Sequence, residues 1–173
     1  MEQVDRSAQK IVPLESFLVS EFRAYQTLLK LSRQERKALM KADVLTLAGI
    51  VEQKDSLMDE IRRLEKGRSQ VVRDWADYMG WPRRNPTIQE VIPHLPGASA
   101  ERLKRIRTGI LAISEELQDL TRGNQALAVS ALERLDNMRT LILSFDQPPD
   151  HYACTGEKKI SHAAASIRLE ERA

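Results

Sequence analysis

The sequence predicts an all-α protein: a long antiparallel helical hairpin plus a long third helix, packed as a three-helix, coiled-coil-like bundle, with a short extra helix and a flexible C-terminal tail. Three observations predict it. Apolar residues recur at alternating spacings of three and four through three long segments, the period of a helix with one buried stripe. The 173 residues include only 7 Gly and 7 Pro, and several of the Pro stand between the periodic segments. Such punctuation suits a few long elements, not many short strands. Apolar residues make up 42% and charged residues 30%, which is too apolar for disorder throughout and too charged for a membrane protein.

The first segment runs from about Pro13 to Ala42, with Pro13 read as a helix start, where a missing N–H costs nothing. Leu14, Phe17, Leu18, Tyr25, Leu28, Leu29 and Leu39 draw its stripe. The stripe weakens over Ser32–Arg36, so the last turns of the segment are expected to be less firmly packed.

Asp43 is placed to cap the second segment, since its carboxylate can accept from the first free amides. Leu47, Ile50, Lys54, Leu57, Ile61, Leu64, Arg68, Val71, Trp75 and Tyr78 then alternate three and four apart. That is the seam of a helix facing a long partner. Leu57 and Ile61 are read as core positions, whose truncation to Ala should destabilise the bundle by about 2–5 kcal/mol each if they are fully buried. Gly80, Pro82 and Pro86 end the helix in a loop with Trp81, Arg83 and Arg84. Thr87 and Glu90 read as a capping box for a short helix that Pro93 and Pro96 cut off.

The third long segment starts near Ser99 and ends at about Phe145. Leu103, Ile106, Ile110, Ile113, Leu117, Leu120, Asn124 and Leu127 keep the alternation. The stripe then slips through Ala131 and Leu135 to Met138, Ile142 and Phe145, two steps of four that resemble a coiled-coil stutter. At 1.5 Å per residue this helix is about 70 Å long, against about 54 Å for the second, so one end is expected to outrun the hairpin. The expected organisation is a bundle over residues 1–146, with helices at about 13–42, 44–79, 88–95 and 98–146, and a mobile tail over 147–173. In the tail, Ser161 can cap a short helix carrying Ala164, Ile167 and Arg168, but an isolated helix of that length is marginal in water.

With 27 Lys and Arg against 25 Asp and Glu, the net charge is only +2, a mixed surface and not the clustered basic face of a nucleic-acid binder. Arg102, Lys104, Arg105 and Arg107 cluster, but no aromatic residues are interleaved for base stacking. Their bland reading, a solvated helix face, is preferred. The one cysteine, Cys154, has no intramolecular disulfide partner, the opening residues lack the apolar core of a signal peptide, and the apolar runs are too short to span a membrane. A cytoplasmic protein without membrane insertion is expected.

No catalytic residue is assigned. His151 and Cys154 stand near Asp150, but a closed zinc site wants four well-placed ligands, and no metal or cofactor is expected. The glycines are dispersed and build no phosphate-binding loop; Gly67, Gly109 and Gly123 inside helices suit close helix approach. Asn124 interrupts an apolar stripe, where a buried Asn fixes register or, alternatively, meets a partner.

The order of motifs goes further. Ala38-Leu39-Met40-Lys41-Ala42-Asp43, Lys54-Asp55-Ser56-Leu57 and Leu64-Glu65-Lys66-Gly67-Arg68 resemble the Ala-Leu-x-x-x-Asp turn, Lys-x-x-Leu step and Leu-Glu-x-x-Arg of the FlgN-like flagellar export chaperones. Leu117, Leu120, Asn124 and Leu127 resemble that family's Leu-x-x-Leu-x-x-x-Asn-x-x-Leu helix, and Tyr152 with Gly156 its Tyr-x-x-x-Gly tail. Many members carry Gly directly after that Tyr, where this chain has Ala153. The resemblance covers about residues 14–173.

It implies a cytoplasmic type III export chaperone. Its clients would be hook–filament junction proteins, bound through their C-terminal helical segments, held from premature assembly and delivered to the cytoplasmic domain of the export gate. Read with the unpaired apolar stripe, it makes Leu127, Leu135, Met138, Ile142 and Phe145, with Ile160 and Ile167 of the tail, the client-binding candidates. The stripe can accept an amphipathic helix, and the tail can fold over it. Tyr152 and Gly156 become candidates for export-gate docking. A chaperone or regulator of another secretion system and a structural coiled-coil oligomerisation module are the alternatives.

Overall fold

The computed structural model describes residues 2–81 and 86–145, with side chains from residue 12 onward. Among these residues every regular element is helical. They are α1 (Glu2–Lys41), α2 (Val44–Tyr78), the short α3 (Ile88–Val91) continued by a 3-10 turn over Ile92–His94, and α4 (Gly97–Phe145). The expectations for Pro82, Arg83, Arg84 and the whole of 147–173 lie outside the described residues. No helix among the described residues is long and apolar enough to cross a membrane. The chain divides into two compact units, Met1–Glu133 and Arg134–Ala173, and α4 contributes to both.

One helix start differs from the sequence reading. α1 begins at Glu2 and carries Pro13 inside it. The ring fixes a helical φ, so the chain stays helical on both sides and only the bond to the Gln9 carbonyl is lost. The other boundaries follow their caps. Asp43 Oδ1 accepts from the Thr46 amide at 3.1 Å and opens α2. Those bonds to Thr46 hold the Asp43 carboxyl below the usual carboxylate range. The Glu90 carboxylate accepts from the Thr87 N–H at 2.7 Å, closing the capping box of α3.

Within the first unit, α1 and α2 form the antiparallel hairpin. Cross-links run Glu35–Lys54, Tyr25–Glu65 and Glu21–Arg68, the position rising on one helix as it falls on the other. α4 runs parallel to α1: Glu15 meets Arg102, Phe22 covers Gly109 and Arg36 reaches Gly123. These pairs keep one offset (102 − 15, 109 − 22 and 123 − 36 all give 87). Gly67 and Gly109 make room for aromatic rings: a Cβ would stand 2.5 Å from Phe17 at the first and 2.8 Å from Phe22 at the second.

The core has three sections. At the α3 end, Trp75, Leu14, Leu18, Val72, Val91 and Leu103 are buried together, with Trp81, Ile88 and Leu95 packed against them. The middle holds Leu28, Leu29, Ile61 and Leu117, and the hairpin end Leu31, Ala38 and Ile50. Ile61 is 2% exposed, whereas Leu57 is partly buried and packs against the core, so the condition of full burial is met by Ile61 alone of the two. Within Ser32–Arg36, Ser32 is buried with its carbonyl bonded across to α4, while Arg33, Gln34 and Arg36 are exposed.

Two seam positions of α2 are charged and paired with α1. Lys54 Nζ lies 2.7 Å from Glu35 Oε2, and Arg68 Nε lies 2.7 Å from Glu21 Oε1. The Glu21 side chain is nearly sealed from solvent, and this burial pushes its carboxyl up despite the opposing pull of Arg68. Beside it the Tyr25 hydroxyl donates to Glu65 Oε1 at 3.1 Å, and burial together with the Glu65 charge pushes the phenol up to about 12.

The α1–α2 turn carries backbone strain. The Asp43 amide donates to the Ala38 carbonyl at 3.0 Å and the Ala42 amide to the Leu39 carbonyl at 3.2 Å, the two bonds of a Schellman end. Ala42 holds the left-handed position at φ 53°, where a Cβ is penalised and glycine is not. Ala42→Gly is therefore expected to stabilise the protein by about 0.5–1 kcal/mol, the relief of strain exceeding the added freedom of the unfolded chain. Urea denaturation of the two proteins checks this; a variant less stable than the parent rules it out.

Candidate functional site

Through most of the first unit the inner face of α4 is occupied. Leu103 and Leu117 are buried, and Ile106, Ile110, Ile113 and Leu120 pack against the core. Asn124, 4% exposed, ends this run with a polar layer. Its Nδ2 donates to the Ser32 carbonyl at 2.9 Å and to Glu35 Oε2 at 2.8 Å, and Glu35 in turn holds Lys54. One side chain on α4 is thus tied to both helices of the hairpin. Sliding α4 by one turn would break both bonds that Asn124 makes to α1.

By the offset of 87, Ala128 stands level with Lys41, the last residue of α1. Leu127 and Ala128 are half-buried at that level. Beyond it the environment changes: Val129 is 49% and Leu132 66% exposed. No further turn of α1 exists there to cover them.

The described part of the second unit, Arg134–Phe145, is helical and exposed throughout. Leu135, Met138, Ile142 and Phe145 are 62%, 58%, 64% and 80% exposed. Spaced three, four and three apart, they fall on one face of the helix. Scattered exposed apolar residues are ordinary, whereas four large ones aligned on one face are a candidate interaction surface. Such a face suits a second amphipathic helix.

The structure therefore brings Leu135, Met138, Ile142 and Phe145 onto one exposed face and places Leu127 half-buried. Asn124 is inside the bundle. Ile160, Ile167, Tyr152 and Gly156 lie outside the described residues, as do His151 and Cys154. Following the stripe alone passed over exposed Val129, Leu132, Leu141 and Leu143. Their signal in the sequence is the density of Leu and Ile over 141–143, which fills more of the helix circumference than one buried stripe needs.

A cleft of about 680 Å³ in the first unit is lined by Tyr25, Leu28, Met58, Leu117, Gln118 and Thr121. Among the described residues no cluster of His, Cys, Asp and Glu is arranged to hold a metal.

A family model described as FlgN protein matches residues 13–159. No curated protein and no solved structure matches the chain.

Proposed function

The chain belongs to the FlgN family of flagellar export chaperones, and from that premise we propose that it binds hook–filament junction proteins in the cytoplasm and delivers them to the export gate. The observation that carries the reading is the exposed apolar face of Leu135, Met138, Ile142 and Phe145 on α4. Junction proteins would dock there through their C-terminal helical segments, which keeps those segments from assembling early. Leu127, Ile160 and Ile167 complete the client contact in this reading, and Tyr152 with Gly156 docks the cytoplasmic domain of the gate. An aromatic ring with a polar tip suits such an anchor, since it brings a large contact area at low entropic cost.

The test is co-expression with candidate junction proteins and pull-down, with the chain carrying Met138→Ser and Ile142→Ser as the comparison. Both side chains are more than half exposed in the free protein, so stability should change by no more than about 0.5 kcal/mol per site. Client affinity should fall by about tenfold or more, because two apolar anchors at the centre of the face are lost. Unchanged binding by the double variant removes this face from the reading. If no junction protein co-purifies with the parent chain, the client assignment itself fails.

A further inference from the structure

The exposed face of Arg134–Phe145 is edged by charge of one sign. Leu135, Met138, Ile142 and Phe145 occupy alternate a and d positions of a heptad. Arg134 then falls at g and Arg139 at e, the two positions that flank an apolar seam. The acids of this stretch stand elsewhere: Asp136 falls at b, and Glu133 just before it at f, both on the far side of the helix. Leu141 takes the remaining g position. Within Arg134–Phe145 the seam is therefore bordered by guanidinium groups on both edges and by no carboxylate; Asp146, at the next e position, lies outside the described residues.

A second copy of the same helix is a poor occupant. In a parallel pair, g of one helix faces e of the next heptad on the other, which sets Arg134 against Arg139. In an antiparallel pair, e faces e and g faces g, which sets each arginine against its own kind. Both arrangements bring like charges together beside the seam, and such juxtaposition disfavours the pairing.

We propose that this face selects an amphipathic helix whose own apolar seam is flanked by Asp or Glu, and that Arg134 and Arg139 are the residues that make the selection. The inference rests on the reading of the same face as the client site, and adds the chemistry by which a client helix is told from other apolar helices. The apolar seam supplies most of the affinity and the edges supply choice, as charge at a rim does generally. Guanidinium groups suit the task, since each can hold a carboxylate through two parallel bonds.

Two designed peptides test it against the full chain by fluorescence anisotropy. They share one Leu and Ile seam and differ only in carrying Glu or Lys at every e and g position. At low salt the Glu peptide should bind roughly tenfold more tightly, from a few edge pairs acting together. The preference should shrink as salt is raised. The chain carrying both Arg134→Glu and Arg139→Glu should prefer the Lys peptide instead. Equal affinities for the two peptides, or a parent chain that favours Lys, overturns the proposal. So does failure of both peptides to bind a chain that still captures junction proteins, an outcome that leaves the chaperone reading standing. Loss of junction-protein capture as well brings down that reading along with the proposal.

Discussion

Trp75→Ala is expected to lower the stability of the bundle by about 3–5 kcal/mol, the range for removing a buried large aromatic side chain. Trp75 is 1% exposed and is the largest fully buried side chain among the described residues. It sits where three helices and the α3 segment converge, among Leu14, Leu18, Val72, Val91 and Leu103. Its ring lies 5.4 Å from that of Trp81 and 6.5 Å from that of His94. Truncation leaves a void that this section cannot readily close, because its neighbours are anchored on four separate elements. The indole Nε1 has no hydrogen-bond partner among the described residues. Trp75→Phe therefore removes area without breaking a bond and should cost far less than Trp75→Ala. Denaturant unfolding of the three proteins, followed by circular dichroism, gives the comparison. Equal losses for Phe and Ala would show that the indole N–H matters after all, and a loss under about 1 kcal/mol for Ala would show that this end of the core collapses around the gap.

The residues around Trp75 show why so much of the fold is legible from sequence. A helix buries one face, so a spacing of three and four points directly to Ile50, Ile61, Trp75, Leu103 and Leu117, all of them buried. Caps are equally local, and Asp43 and the Thr87–Glu90 pair need only their own segment to act. What periodicity does not give is the partner across the bundle. Lys54 and Arg68 stand in the α2 seam as plain interruptions, and nothing local says that Glu35 and Glu21 on α1 neutralise them. Ser32 looks like a weak point in α1 for the same reason, because its role comes from Asn124, 92 positions away. The exposed face is a mixed case. Spacing places Leu135, Met138, Ile142 and Phe145 on one stripe, but only a structure shows that they are exposed.

The pairing that sequence did not disclose yields the second large effect. Arg68→Ala is expected to destabilise the protein by about 3 kcal/mol at neutral pH, since removing one partner of a buried ion pair strands the other. The lower end of the usual range applies, because the Arg68 side chain keeps 24% of its exposure whereas Glu21 keeps 3%. Burial already raises the Glu21 carboxyl, while the hydrogen bond and the charge of Arg68 hold it down and Glu65 pushes it up. Without Arg68, both lowering influences disappear and the carboxyl rises further. A carboxyl whose folded value lies above its unfolded value of about 4.3 favours folding fully at low pH, and that contribution is lost as pH rises through the folded value. The deficit of the variant should therefore be greatest at pH 7 and should be smaller at an acidic pH below the raised folded value, where Glu21 takes up a proton and is buried as a neutral acid. Adding Glu21→Gln to the variant should recover most of the loss at pH 7, since a neutral amide of the same shape replaces the stranded charge. Urea unfolding of the parent, the single and the double variant at both pH values decides the matter. A deficit that stays constant across this range, or one that Glu21→Gln fails to relieve, would show that Arg68 acts through the packing of its aliphatic stem and not through the carboxylate it holds.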